Sequence, residues 1–186
     1  MSEQERTETA LRRAVLAGDR RAWEALYESA FDGLFAYVQW RCGGVRAWTD
    51  DLVQETWLVA VRRIRDFRPD QARFLSWLRG IAARLLHKHF RDLRRYPASL
   101  EGIQDFPSIA ARPDAAAERI AQALADLPAH YEAVLRAKYV DRRTMTEIAT
   151  EGRTTVKAVE SLLSRARDAL RDAYKALEAL EERVEP

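Results

Sequence analysis

Cysteine is nearly absent from this chain, which holds one, Cys42, among 186 residues. A lone cysteine excludes an internal disulfide framework and a cysteine-rich metal site, and it suits a reducing compartment. Glycine and proline number only 7 and 6, and they gather at a few breaks. No stretch approaches the ~18 consecutive apolar residues of a membrane span. The N-terminal MSEQERTETALRRA lacks the apolar centre of a signal peptide. Net charge is lacking too, at +2 in total. A surface for a polyanion must therefore come from local segregation of charge. No β-type alternation persists. No nucleophile–base pair, phosphate loop or carboxylate dyad stands out, so nothing points to catalysis or a cofactor. Together these absences predict a soluble, cytoplasmic, non-enzymatic protein without membrane insertion.

What is present is helical. The hydrophobic share of 47% supplies cores, and the charged share of 32% covers helix faces. The fold expected is all-α: two small helical domains joined by a flexible linker, the second ending in a helix-turn-helix. The first domain is 1–95. Residues 96–113 carry Pro97, Gly102, Pro107 and Pro113 with little periodicity, and they read as the linker. The second domain is 114–186. Within the first, a short helix is expected over 7–17, a second after a cap at Asp19, and a break at Gly43-Gly44. A third runs from Thr49 to about Asp66, the loop FRPDQAR follows, and a fourth covers Arg73 to Arg95.

Thr144 to Arg171 reads TMTEIATEGRTTVKAVESLLSRARDALR. Thr144 with Glu147 fits a capping box, Gly152 stands at the turn, and Thr154 or Thr155 can cap the next helix. Val156, Val159, Leu163, Ala166, Leu170, Ala173, Leu177 and Leu180 then recur in alternating steps of three and four, one stripe down a long helix. Lys157, Ser161, Ser164, Arg165 and Asp168 fall opposite. This is the layout of a helix-turn-helix that places its second helix in the major groove. An ordinary amphipathic helix with a solvated back gives the same stripe.

Residues 62–95 hold eleven Lys or Arg against three acids, a local balance of +8. Phe74, Trp77, His87, His89 and Phe90 are interleaved with them. Cations track phosphates, and exposed rings stack on unpaired bases. The spacing of Phe74, Trp77, Leu78, Ile81 and Leu85 also suits a buried face. His87 and His89 stand two apart on a helix, which disfavours chelation of a metal. In the third helix, Leu52, Val53, Thr56, Trp57, Ala60 and Ile64 share a face. Asp51, Gln54, Glu55, Leu58 and Arg62 lie roughly opposite, and Leu58 and Val59 make that outer side more apolar than solvation needs.

These pieces together resemble one family. DDLVQETW resembles the polymerase-binding segment of bacterial sigma-70 factors. FLSWLRGIAARLL with the following HFR resembles the promoter-opening segment, and EIATEGRTTVKAVESLLSRAR the second DNA-binding domain. Two such domains with only a short linker resemble the extracytoplasmic function (ECF) subgroup, over about residues 10–175.

The resemblance implies roles. Asp51, Gln54, Glu55 and Leu58 would bind the clamp helices of core RNA polymerase. Arg68, Arg73, Phe74, Trp77, Arg84, Lys88 and Arg91 would hold the −10 element as a single strand. Thr155, Lys157, Glu160, Ser161, Ser164 and Arg165 would read the −35 element, while the domain's outer surface holds the polymerase flap. Promoter DNA and core polymerase are the implied partners, with an anti-sigma factor as a further one. Arg84 stands where Asn is common, Lys88 where Asp is frequent and Glu160 where a cation often supports −35 binding. A stand-alone helix-turn-helix regulator is the alternative; it leaves the third and fourth helices unexplained.

Overall fold

The computed structural model describes residues 3–95 and 115–181. The expected linker and the last five residues lie outside this range. Eight α-helices, one short 3-10 helix and no strand occur among the described residues: α1 Glu3–Leu16, α2 Arg20–Arg41, α3 Arg46–Arg63, the 3-10 turn Ile64–Asp66, α4 Phe74–Arg95, α5 Ala115–Asp126, α6 Ala129–Tyr139, α7 Met145–Glu151 and α8 Val156–Glu181. The chain groups into two compact units, Met1–Val38 with Arg46–Gln104 and Gln39–Val45 with Asp105–Pro186.

Local chemistry sets the boundaries in the first unit. Asp19 caps α2, its Oδ1 accepting from the amide of Arg21 at 2.8 Å and of Ala22 at 3.4 Å. Gly43 and Gly44 end that helix with φ of 61° and 85°, a backbone region glycine enters at little cost. Leu26, Ala30, Leu34 and Val38 from α2 are buried, as are Leu52, Val53, Thr56 and Ala60 from α3. From α4 the buried set is Phe74, Leu78, Ile81, Ala82, Leu86 and Phe90. Leu86 is buried where Leu85 was expected; Leu85 is only half-buried. A Cβ on Gly33 would stand 2.6 Å from Leu75 Cδ2, so the Leu75 side chain of α4 fills the space beside this glycine of α2. Phe67 anchors the loop before α4 by burying its ring against Phe74 at 5.2 Å and Trp77 at 5.4 Å.

In the second unit α5, α6 and α7 all pack on α8. Val134, Leu135, Ala149, Val159, Leu163 and Ala166 form the core, with Met145, Ile148, Leu162 and Leu170 half-buried against it. The α8 stripe is thus buried only in its middle: Val156 and Leu180, at its two ends, are 39% and 57% exposed.

Candidate nucleic-acid and polymerase interfaces

The α7–α8 turn forms as its chemistry dictates. Thr144 Oγ1 accepts from the Glu147 amide at 3.2 Å, and Glu147 Oε2 accepts from the Thr144 amide at 2.8 Å, completing the capping box. The Thr144 amide and then the Thr144 hydroxyl, which donates to Glu147 Oε2 at 2.8 Å, hold the Glu147 carboxyl below its usual pKa. At the other end the Arg153 amide donates to Thr150 O at 3.2 Å and that of Thr154 to Ala149 O at 2.9 Å. That bond pair is a Schellman motif. Its left-handed residue is Arg153, with φ of 49°, while Gly152 stays right-handed at −75°. Glycine therefore sits one position before the one that would use its freedom. Arg143, before α7, and Glu151, its last residue, form an ion pair along that helix.

Thr155 then caps α8, its Oγ1 accepting from the Ala158 amide at 3.2 Å. Thr155, Lys157, Glu160, Ser161, Ser164 and Arg165 are all exposed. Lys157 to Arg165 spans about 12 Å at 1.5 Å per residue, close to the width of the major groove. Arg165 Nε makes only a long bond, 3.4 Å, to Ser161 O.

Arg73, just before α4, and Ser76, Gly80, Arg84, His87, Lys88 and Arg91 on it are exposed. At about 100° per residue they share one third of the helix circumference. Half-buried Trp77 sits on the edge of this face, and exposed Arg68 lies in the loop before it. Phe74 does not belong to it. It is 1% exposed, turned into a cluster with Trp23, Trp57, Phe67 and Trp77. The expectation that Phe74 touches a base is corrected: its ring is inside because its position faces α2 and α3, away from the basic stripe. Phe90 is likewise buried. His89 lies edge-on to Trp48 at 5.0 Å. Burial pushes its pKa down, against the upward pull of Asp51, Asp92 and Glu55.

On α3, Asp51, Gln54, Glu55 and Leu58 are all exposed, Leu58 at 49%. Beside them runs an apolar groove between α2 and α3, about 380 Å³, lined by Tyr27, Phe31, Phe35, Trp57, Leu58 and Val61 among others. Its aromatic side was not legible in the sequence, where Trp57 falls on the inner face of α3 with Leu52 and Val53. Only Leu58 and Val59 signalled an apolar outer side, and Tyr27 and Val61 prove to be 44% and 51% exposed.

Among the described residues the chain combines a helix-turn-helix, a second, basic helix face and an acidic-apolar helix face. The profile of Sigma-70 region 2 matches residues 26–96, and that of Sigma-70 region 4 matches residues 117–170. A curated ECF RNA polymerase sigma factor, BldN of Streptomyces coelicolor, is 38% identical over 78 residues, which cover 42% of this chain and 29% of that protein. Among solved structures, CnrH in complex with the cytosolic domain of CnrY is 26% identical, with a TM-score of 0.49 over 91% of this chain and 98% of that one. An RsbN–BldN complex is 24% identical, with a TM-score of 0.35 over 87% and 97%. The chain belongs to the ECF subgroup of the sigma-70 family. Among the described residues no helix is long and apolar enough to cross a membrane.

Proposed function

We propose that this protein is a cytoplasmic, non-catalytic initiation factor that binds core RNA polymerase and directs it to promoters. The observation that carries the reading is the coexistence, in one small unit, of the acidic-apolar face of α3 and the basic stripe of α4. A stand-alone regulator needs neither. In this assignment 1–95 binds polymerase and the −10 element, 96–113 links, and 114–186 binds the −35 element. Asp51, Gln54, Glu55 and Leu58 meet the polymerase clamp, and the neighbouring groove lets apolar side chains of the partner add buried area to that charged contact.

Arg68, Arg73, Trp77, Arg84, Lys88 and Arg91 hold the −10 strand. Extruding a base costs a few kcal/mol of unstacking, and a half-exposed Trp77 with the five cations Arg68, Arg73, Arg84, Lys88 and Arg91 supplies stacking and phosphate contacts to offset it. Thr155, Lys157, Ser161, Ser164 and Arg165 contact the −35 duplex. Glu160 repels phosphate and is able to accept from cytosine N4. An anti-sigma factor is a further partner in this reading.

The test is run-off transcription from a promoter library with the purified chain and core polymerase. Transcripts that need both components are expected. No association with core and no transcripts would sink the proposal; a dimer binding a palindrome by itself would favour the stand-alone regulator.

A further inference from the structure

The first turn of α4 lacks a cap of its own. Its Phe74 amide is one of the four that have no partner inside a helix. Serine, threonine, aspartate or asparagine normally fills the preceding position and serves the second or third amide of the turn, but Arg73 stands there, and a guanidinium has no acceptor for any of them. The acceptor comes instead from α1. Glu8 Oε2 takes the Phe74 amide at 3.0 Å, from 66 positions away in the sequence. A second bond ties α1 to the other end of the same segment: Arg12 Nη2 donates to Arg65 O at 2.9 Å. Arg65 O also accepts from Arg68 Nη1 at 3.3 Å.

Glu8 is the one buried residue of α1, at 9% exposure. A helix that buries a carboxylate and no large apolar side chain is not there mainly to enlarge the core. Two long-range side-chain bonds of α1, from Glu8 and Arg12, end on residues 65–74, which carry exposed Arg68 and Arg73. Capping from outside also leaves position 73 free to hold a cation, where a self-capping aspartate would put a negative charge beside a phosphate.

We propose that α1 is a strap that fixes the loop and first turn of the −10-reading segment, with Glu8 as its positioning residue. The inference rests on the reading of that segment as the −10 contact. Glu8 touches no DNA. It acts by holding Arg68, Arg73 and Trp77 in one arrangement, so the strand does not have to order them when it binds.

The test uses the full chain, free and bound to core polymerase, as wild type, Glu8→Ala, Glu8→Gln and Arg12→Ala. Amide hydrogen exchange over residues 64–77 reports the strap directly. The DNA probe is the set of strands that wild-type holoenzyme enriches from a random single-stranded pool. Glu8→Ala is expected to speed exchange of the Phe74 amide about tenfold, as loss of a cap does, and to weaken capture of those strands by a similar factor. Core binding should not change. Glu8→Gln keeps an acceptor oxygen and should behave as wild type. Arg12→Ala should loosen residues 64–68 and leave the Phe74 amide protected. Unchanged exchange in both alanine variants would overturn the strap, as would failure of Glu8→Gln to restore protection. Faster exchange with undiminished capture would leave the strap standing and overturn the −10 reading of the segment.

Discussion

The rings of Phe67 and Phe74 meet edge-on, 5.2 Å apart and both fully buried, at the two ends of the loop that leads into α4. The loop is therefore pinned by its base, while Arg68, Asp70, Gln71 and Arg73 stay in solvent. Truncating either ring opens a cavity in a packed aromatic cluster. Phe67→Ala should lower unfolding stability by about 3–5 kcal/mol, measured by urea denaturation.

Trp77 and Phe74 lie three apart and stack at 5.8 Å, yet only Trp77 is open to the basic face. Trp77→Ala should weaken capture of a −10 single strand by about 1–3 kcal/mol, the range of a base–aromatic stack. Phe74→Leu, in folded protein, should leave capture unchanged while lowering stability. Equal losses of affinity in the two variants would put Phe74 back among the base contacts.

Arg153 carries the strain of the helix-turn-helix turn. A side chain in the left-handed region costs roughly 1–2 kcal/mol, and the Schellman bonds hold it there. Arg153→Gly should raise unfolding stability by about 1 kcal/mol, read from thermal or denaturant melts. A destabilised variant would mean that the Arg153 side chain makes a contact worth more than the strain.

The two surfaces of the proposed initiation factor should separate by mutation. Asp51→Ala with Glu55→Ala, or Leu58→Asp alone, should impair association with core polymerase, because all three positions are exposed on α3. Arg165→Ala should weaken −35-dependent initiation and spare core binding. Core-binding assays and run-off transcription on the same variants decide it. Equal loss of core binding in both sets would refute the division of roles.

Two carboxyls should respond to acid in opposite senses. Burial, partly offset by the Phe74 amide and Arg73, raises the pKa of Glu8 above 4.5. Its contribution to stability is therefore fully present below the ordinary carboxylate range and is lost as pH rises through its raised folded value. Hydrogen bonds from Thr144, amide first and hydroxyl second, lower that of Glu147. Its contribution is present above the ordinary range and is lost as pH falls through the lowered value. Stability curves of Glu8→Gln and Glu147→Gln against pH should deviate from wild type in these opposite directions. Neutral pH should leave Glu8→Gln no less stable than wild type.

Much of this protein was legible in its sequence because the signals are local. Capping at Asp19 and Thr144, the Gly43-Gly44 break, the 3-4 stripe of α8 and the excess of cations over 62–95 depend on neighbours a few positions away. Helical geometry turns such neighbours into faces without help from the rest of the chain. The exposed polar and charged residues of α3, α4 and α8 followed from the same geometry.

Tertiary structure alone decided matters in which distant segments meet. Periodicity placed Phe74 and Trp77 in the same apolar set; packing against α2 and α3 buries one ring and leaves the other at the edge of the basic face. Trp57 shares the inner face of α3 by periodicity, yet the α2–α3 crossing leaves a groove with part of Trp57 and of Tyr27 in it. Which residue takes the left-handed turn was fixed by the bonds of the Schellman motif, and they chose Arg153 over Gly152. The cap of α4 could not be read at all, since its donor and acceptor are 66 positions apart. A sequence pattern reports which side chains share a face; only the folded chain determines what stands opposite that face, and burial and hydrogen bonding follow from what stands there.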